Sequence, residues 1–430
     1  MGLIPISSDE LKVGLYIKLE HGWSEHPFLR NSFKIRSQTD IGIIRNHGLT
    51  KIFYDPALSD PQALEDLASS LRSQPENRVA PEEEDALSRE KLDEATNALR
   101  EEKEELIQKL FTHQDTLNQT EKAYQNALHE NRRALKMINM GQSGGLDVSK
   151  EIVGSMIDIL QCSAPTLTLV KTSDPEGIME EVSVQSMNVC SLALLLGKTM
   201  GLNQEESQTL GQGAMFHNIG LQRVPPAVWA KRKDALSVKE RQFYPHYGRQ
   251  MMQDLTGISP DCLDIISQHQ ENIDGSGYPE GLKGTQIAFL PRVIRVVTAY
   301  TLALNNGQET DRPTPTDALA YLYTKMKEKC DPDIIDAFIA TVTVYPPGSI
   351  VRLNDGHVGV VVKTNKSERL RPLVVLYETA QALSDLVIVD LAQEPELSIK
   401  ESLKPKALDP KILAQIQQSL GGVQGYFVSA

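Results

Sequence analysis

The chain has 430 residues, of which 40% are hydrophobic, and this length is typical of two to four domains with a substantial core. Its formal net charge of −13 argues against nonspecific binding to nucleic acids or to anionic membranes. No run of apolar residues is long enough for a transmembrane helix, and no basic segment precedes an apolar run near the first residue. The sequence therefore predicts no membrane insertion and no signal peptide, and it favours a cytoplasmic protein.

Residues 1–75 mix short apolar runs with turn residues, which predicts a small α+β domain. A helix is expected at 40–47, because Asp40 can cap it and Gly48 can stop it. The predicted strands are at 13–19, 33–35 and 51–55.

Residues 76–147 predict an acidic helical linker. A polar stretch at 74–79 contains Pro75, and a helical pattern then runs from Pro81 to about Asn139. Its regularly spaced apolar residues favour a helical hairpin or a coiled-coil stalk through which a homodimer could form. The alternative is a solvated helix packed on its own domain. The residues that carry this spacing are Leu106, Leu110, Leu117, Tyr124 and Leu128.

Residues 148–345 predict an all-α domain, because amphipathic runs follow one another and almost nothing alternates with period two. The predicted helices are at 152–160, 187–200, 207–218, 248–255, 263–269 and 292–304.

The four cysteines are widely spaced, and each lies in or beside an apolar helical pattern. They lack the C-x-x-C spacing of a zinc site, so we expect reduced core residues. They are Cys162, Cys190, Cys262 and Cys330.

Residues 346–430 predict a β-rich extension with a short helical tail near 410–420. An Asp355-Gly356 pair between the first two predicted strands indicates a hairpin turn. The predicted strands are at 349–353, 358–363 and 372–377. These elements together predict a multidomain, mainly α fold class.

Residues 274–284 read D-G-S-G-Y-P-E-G-L-K-G and hold four glycines and a proline, which excludes a helix or a regular strand. They predict a rigid loop whose backbone can approach a ligand closely. Two histidines precede this loop: His217, within M-F-H-N-I-G, and His269, at the end of an apolar run.

This order of motifs resembles the bacterial HD-GYP phosphodiesterases over about residues 150–345. Residues 4–60 look like the uncharacterised domain that often precedes HD-GYP domains, and the β-rich tail is similar to the region on the C-terminal side of those domains. The resemblance implies hydrolysis of cyclic di-GMP by two or three iron-like metals, which histidines and bridging carboxylates hold.

Most metal-ligand positions of that family hold other residues here. His217 and His269 match, but amide and hydroxyl groups, which are weak ligands for such metals, replace the others. We therefore expect no catalytic residue and no cofactor, or at most Fe or Mn at a partial site formed by the two histidines. The alternative is that both are neutral core histidines. The substituted positions are Gln185, Asn218, Tyr244, Gln270 and Thr298, with Thr301 at a second acid position.

The ligand-facing residues of the family are better matched. Arg312 resembles an arginine that contacts ligand phosphate, although Pro315 stands where a second basic residue is expected. The loop residues that match are Gly277, Tyr278, Pro279 and Lys283. The alternative is that the loop is only a scaffold and that Lys283 and Arg312 are solvated charges.

The sequence leaves three hypotheses. The first is a catalytically inactive protein of cyclic di-GMP signalling that acts as a nucleotide receptor, adaptor or scaffold with protein partners. The second is a phosphodiesterase with a reduced metal site. The third is a structural interaction protein that binds no nucleotide.

Overall fold

The structure, a computed structural model, describes residues 3–22, 25–72, 85–161, 167–171, 177–225, 227–228, 242–307, 311–365, 367–377, 387–419 and 425–429. Within these ranges the fold is mainly helical, with small antiparallel sheets toward the two ends of the chain. The predicted fold class is therefore confirmed.

The helices are α1 (Gln38–Asn46), α2 (Pro61–Arg72), α3 (Asp85–Asn139), α4 (Gly144–Gln161), α5 (Ile178–Thr199), α6 (Gln204–Phe216), α7 (Tyr244–Met252), α8 (Pro260–Gln268), α9 (Phe289–Leu304), α10 (Pro315–Lys325), α11 (Pro332–Thr341) and α12 (Pro410–Ser419). The strands are β1 (Ile4–Ile6), β2 (Tyr16–Leu19), β3 (Ser32–Lys34), β4 (Ile52–Tyr54), β5 (Leu167–Lys171), β6 (Ile350–Leu353), β7 (Val358–Lys363), β8 (Leu373–Tyr377), β9 (Val387–Asp390), β10 (Ile399–Ser402) and β11 (Gly425–Ser429).

Two compact units make up the chain, and the first comprises residues 1–112 and 373–394. Its N-terminal part is an antiparallel sheet in the order β1-β4-β2-β3, which confirms the three predicted strands and adds β1. Helix α1 begins at Gln38 rather than at Asp40, because Ser37 caps it and the Asp40 carboxylate accepts from the Ser37 N–H at 3.0 Å. Strand β8 pairs with β9 in the same unit.

Helix α3 is one helix of 55 residues, so the predicted helical hairpin is wrong. Leu106, Tyr124 and Leu128 are buried against the chain itself, as the packed-helix alternative expects. The Tyr124 hydroxyl also donates to Asn188 Oδ1 at 3.1 Å. The side chains of Leu110 and Leu117 lie outside the described residues, as does the polar stretch at 74–79. Dimer formation through this helix stays a prediction.

The second unit comprises residues 113–372 and 395–430 and holds the larger core, built from α4 to α11. The all-α prediction for residues 148–345 is wrong at one place, since β5 pairs in antiparallel register with β11. A five-residue run is too short to distinguish a strand by its local pattern, and its partner lies at the far end of the chain.

The remaining strands of this unit are β6, β7 and β10. Strand β6 pairs in antiparallel register with both β7 and β10. Gly356 has φ +97° in the β6–β7 turn, which confirms the predicted hairpin. Helix α12 confirms the helical tail, whereas the sequence did not indicate β9, β10 or β11. The predicted boundaries at 75, 147 and 345 remain a proposal.

Three of the cysteines, Cys190, Cys262 and Cys330, are buried and free, as predicted. Burial raises the pKa of the Cys190 and Cys262 thiols to about 12. Cys162 lies outside the described residues. Among the helices in the described ranges, none has the length and apolar character that crossing a bilayer requires.

Candidate ligand-binding site

Two helix ends bring the matching histidines together. Asn203 caps α6 and Ser259 caps α8, and these helices end at His217 and His269. Both histidine side chains are fully buried, and their ring centroids lie 5.0 Å apart with the rings perpendicular.

The hydrogen bonds of each ring determine where its proton sits. Nδ1 of His217 lies 2.6 Å from the Ala214 carbonyl oxygen, and Nδ1 of His269 lies 2.9 Å from that of Ile266. A carbonyl oxygen only accepts, so each Nδ1 carries the proton and each Nε2 presents a lone pair.

Both imidazoles are neutral near pH 7. Burial lowers the pKa of His217 to about 4. The hydrogen bond to the Ala214 carbonyl acts in the opposite direction but is the smaller effect. Burial likewise lowers the pKa of His269 well below its usual range, and the neighbouring His217 lowers it further.

Tyr244 and Gln270 complete an uncharged group around His269. The Tyr244 hydroxyl donates to His269 Nε2 at 2.8 Å and accepts from Gln270 Nε2 at 3.0 Å. Burial raises the pKa of that hydroxyl well above its ordinary value, so it keeps its proton. We refer to His217, Tyr244, His269 and Gln270 as the neutral cluster.

A second set of substituted positions joins α5 to α9. Gln185 Nε2 donates to Thr301 Oγ1 at 2.7 Å, and the Thr301 hydroxyl lies 3.1 Å from the Thr298 carbonyl oxygen. Asn218 is buried directly after His217. No hydrogen bond among the described residues links this set to the neutral cluster. Two buried atoms, His217 Nε2 and Thr298 Oγ1, have no hydrogen-bond partner in the part of the chain that the structure describes.

The predicted ligand loop, residues 274–284, is anchored by a residue that the sequence analysis missed. Glu271 is 1% exposed, and its carboxylate accepts three backbone N–H groups at 2.7, 3.2 and 3.0 Å. The donors are Glu280, Gly281 and Leu282. These are charge-assisted hydrogen bonds, which are about twice as strong as neutral ones.

The segment before the loop also holds the half of the loop that contains Tyr278. The Gln270 carbonyl accepts from the Tyr278 N–H at 3.3 Å, and Asn272 Nδ2 donates to Ser276 Oγ at 2.9 Å. A Cβ on Gly277 would lie 2.2 Å from the Asn272 nitrogen, so only glycine allows this approach. The Tyr278–Pro279 peptide bond is cis.

The predicted ligand residues are exposed to different degrees. Tyr278 and Pro279 are half-buried, and the Tyr278 ring centroid lies 6.3 Å from that of Tyr244. Lys283 is exposed, and its backbone pairs with Asp274. Arg312 lies in another connection, shortly before α10, and is 6% exposed, so it is not a solvated charge.

Three known families match successive parts of the chain. They are the domain of unknown function DUF3391 at residues 3–147, the HD domain at residues 155–334 and the KOW domain associated with HD domain at residues 350–411. A cyclic di-GMP phosphodiesterase of Pseudomonas aeruginosa is 26% identical over 396 residues, which are 88% of this chain and 86% of that protein. The chain carries an HD domain and is homologous to cyclic di-GMP phosphodiesterases of the HD-GYP type.

Other similar proteins cover less of the chain or are less alike. The cyclic di-GMP phosphodiesterase response regulator of Xanthomonas campestris pv. campestris is 30% identical over 154 residues, 34% of this chain and 40% of that protein. A solved HDG"Y"P protein from Bdellovibrio bacteriovorus matches 78% of this chain and 98% of its own with 13% identity and a TM-score of 0.42.

The metals implied by the HD domain do not fit the residues present. No group of three or more His, Cys, Asp or Glu side chains that could hold a metal ion occurs among the described residues. Of the two matching histidines, His269 already uses Nε2 to accept from Tyr244. Only His217 Nε2 is uncommitted, and one imidazole nitrogen cannot hold a pair of near six-coordinate ions.

Two further polar residues of this HD domain were missed by the sequence analysis. Asn272 follows Glu271, and its Oδ1 accepts from Arg295 Nε at 2.9 Å. Arg295 stands alone between apolar residues of α9. That isolated cation, and a run of polar residues directly after His269, are the sequence signals that could have found them.

Proposed function

We propose that this HD domain protein is catalytically inactive and acts in bacterial cyclic di-GMP signalling as a nucleotide receptor, adaptor or scaffold. The observation that carries this proposal is the neutral cluster. Metal-dependent hydrolysis of a phosphodiester needs a cation that generates hydroxide and neutralises the phosphate. Here the corresponding side chains are uncharged, and three of them, Tyr244, His269 and Gln270, are hydrogen-bonded to one another.

Retention of the loop supports the receptor function over the others. Glu271 holds residues 280–282 with both carboxylate oxygens, and this anchoring needs no metal. Tyr278 keeps a half-buried ring beside the neutral cluster. A loop built in this way can present its backbone and its aromatic ring to a cyclic dinucleotide while the hydrolytic centre is absent.

One observation favours the second candidate, a phosphodiesterase with a reduced metal site. His217 Nε2 is buried with its lone pair uncommitted, and the relatives named above are phosphodiesterases. A metal bound there would need His269 as well, so Tyr244 would have to release His269 Nε2. Fe or Mn are the metals expected at such a site.

Two measurements on the purified full chain separate the candidates. Calorimetric titration with cyclic di-GMP tests binding, and chromatography of the nucleotide after incubation with Mn²⁺ or Fe²⁺ tests hydrolysis. Binding without hydrolysis supports the receptor. Hydrolysis together with near-stoichiometric bound metal overturns it in favour of the enzyme, and neither binding nor hydrolysis favours the structural interaction protein.

A single substitution checks that the loss of activity is cumulative. Asn218→Asp restores one carboxylate beside His217, but it leaves the other substituted positions unchanged. We expect no hydrolysis from this variant under the same conditions. If it hydrolysed cyclic di-GMP, the loss of activity would depend on this one position and would not be cumulative.

A further inference from the structure

Arg295 is one of two arginines on α9, the helix that carries Thr298 and Thr301. It lies one turn before Thr298 on α9, and Ile294 and Val296 on either side of it are fully buried. The Arg295 side chain itself is partly exposed. An arginine at the edge of an apolar helix face can place its guanidinium where solvent or a ligand reaches it.

Asn272 aims this guanidinium at the ligand loop. Its Oδ1 accepts from Arg295 Nε at 2.9 Å, while its Nδ2 donates to Ser276 Oγ at 2.9 Å. Ser276 directly precedes Gly277 and Tyr278. Two consecutive hydrogen bonds thus connect the cation to the half of the loop that a ligand is proposed to contact.

The charge of Arg295 is not cancelled by a close carboxylate. No carboxylate of the described residues lies within 4.0 Å of its guanidinium. By contrast, Arg292, one turn earlier on α9, is 2.7 Å from Asp331 Oδ2. Arg295 therefore keeps its positive charge available, whereas Arg292 is already neutralised.

That charge also reaches the neutral cluster. After burial and the neighbouring His217, Arg295 is a further cause that lowers the pKa of His269. Burial is the main cause that raises the pKa of Tyr244, and Arg295 acts in the opposite direction. The guanidinium is thus close enough to act on both sides of the site, the cluster and the loop.

We propose that Arg295 binds a phosphate group of the ligand beside residues 276–278, and so supplies the positive charge that a metal ion would otherwise provide. Asn272 is its positioning residue. A guanidinium matches phosphate geometry with paired N–H donors and never loses its charge at physiological pH. This inference rests on the proposed receptor function and names the residue that recognises the anionic part of its ligand.

The test compares cyclic di-GMP affinity, measured by calorimetry, among full-length variants whose folding is checked by thermal denaturation. Arg295→Gln removes the charge but keeps an N–H donor, and we expect its affinity to fall about tenfold to a hundredfold. Arg295→Lys keeps the charge but lacks the planar guanidinium. Its affinity for cyclic di-GMP should lie between that of Arg295→Gln and that of the natural chain. Arg249→Gln is the matched control, because Arg249 is ion-paired with Asp264 at 3.2 Å, and its affinity should stay within about twofold.

A second probe keeps the test decisive if the nucleotide does not bind. Inorganic phosphate is titrated into ¹⁵N-labelled protein while the Nε–H resonance that disappears in Arg295→Lys is followed. We expect this resonance to shift with phosphate and not with chloride.

The outcomes distinguish the two proposals. Equal cyclic di-GMP affinity in Arg295→Gln and the natural chain overturns the role of Arg295 and leaves the receptor standing. Absence of nucleotide binding in the natural chain overturns the receptor, and the phosphate titration then decides about Arg295. A resonance that phosphate leaves unmoved overturns the anion site.

Discussion

The ligand loop and the neutral cluster adjoin each other but are held together by different interactions. In the loop, a buried carboxylate accepts three backbone N–H groups. In the cluster, a chain of neutral groups runs from Gln270 through Tyr244 to His269. The loop depends on the charged Glu271 carboxylate, whose oxygens are hydrogen-bonded. The cluster is held by hydrogen bonds between uncharged side chains.

This difference indicates that the conformation of the loop and the charge of the neighbouring cluster are separable. The loop anchors itself through Glu271 and does not need the metal centre for its conformation. At the positions where the resemblance expects metal ligands, the cluster holds the Tyr244 phenol and the Gln270 amide beside the two histidines. The proposed function therefore assigns ligand binding to the loop and no hydrolysis to the cluster.

The largest effect is expected from Glu271→Leu, which removes the carboxylate of the loop. Three backbone N–H groups lose their acceptor, so we expect a loss of about 4 kcal/mol in the free energy of unfolding, measured by urea denaturation. Glu280→Ala is the control, because Glu280 donates to Glu271 through its backbone N–H and its own side chain is exposed. A loss no larger than that of the control would mean that water replaces Glu271 and that the loop is not anchored by charge.

The sequence located the loop but not its anchor. Glycines and a proline predict an irregular loop because of their backbone properties alone. The role of Glu271 depends on three N–H groups, nine to eleven residues later, turning back toward it. That return is a property of the folded loop, and no local pattern encodes it.

Acidification is expected to act on the cluster rather than on the loop. His217 has a folded-state pKa of about 4 against 6.5 for the exposed group, so the unfolded chain takes up a proton first as the pH falls. Stability is full above pH 6.5 and decreases toward pH 4, by about 3 kcal/mol for this residue.

The variant His217→Asn isolates this contribution, since an asparagine amide can still donate to the Ala214 carbonyl. Urea denaturation at several pH values should give a shallower slope between pH 6.5 and 4 than in the natural chain. The exposed His246 provides the control through His246→Asn, which should keep the natural slope. Identical slopes for all three proteins would mean that His217 titrates normally and that the cluster is not a neutral site.

A smaller effect is expected from Gly277→Ala in the loop. The new Cβ would lie 2.2 Å from the Asn272 nitrogen and 2.4 Å from the Glu271 Cα, so the backbone has to move. We expect a loss of about 2 kcal/mol in the free energy of unfolding, together with weaker cyclic di-GMP binding. Gly154→Ala is the control, because the nearest described atom to its new Cβ, apart from its neighbours along α4, is Gln208 Oε1 at the ordinary contact distance of 3.9 Å. Natural stability and affinity in Gly277→Ala would show that the loop conformation is adaptable.

The members of the cluster were predictable, but their bonds were not. The resemblance to the HD-GYP family placed His217, Tyr244, His269 and Gln270 in one site. The bond between Tyr244 and His269 joins residues 25 positions apart on two helices, and it depends on how α7 packs against α8. The pairing of β5 with β11 was missed for the same reason, because both partners are short and distant in sequence.

The smallest effect is expected from Tyr244→Phe, which removes one hydroxyl and keeps the ring. His269 Nε2 loses its donor and Gln270 Nε2 its acceptor, so we expect a loss of about 1.5 kcal/mol in the free energy of unfolding. The ¹⁵N shift of His269 Nε2 should change at the same time, whereas Tyr321→Phe, at a side chain 44% exposed, should change neither quantity. If Tyr244→Phe unfolded at the same urea concentration as the natural chain, the phenol would contribute no net stability. Packing alone would then hold the cluster together, and the hydrogen bonds from Gln270 through Tyr244 to His269 would only accompany that packing.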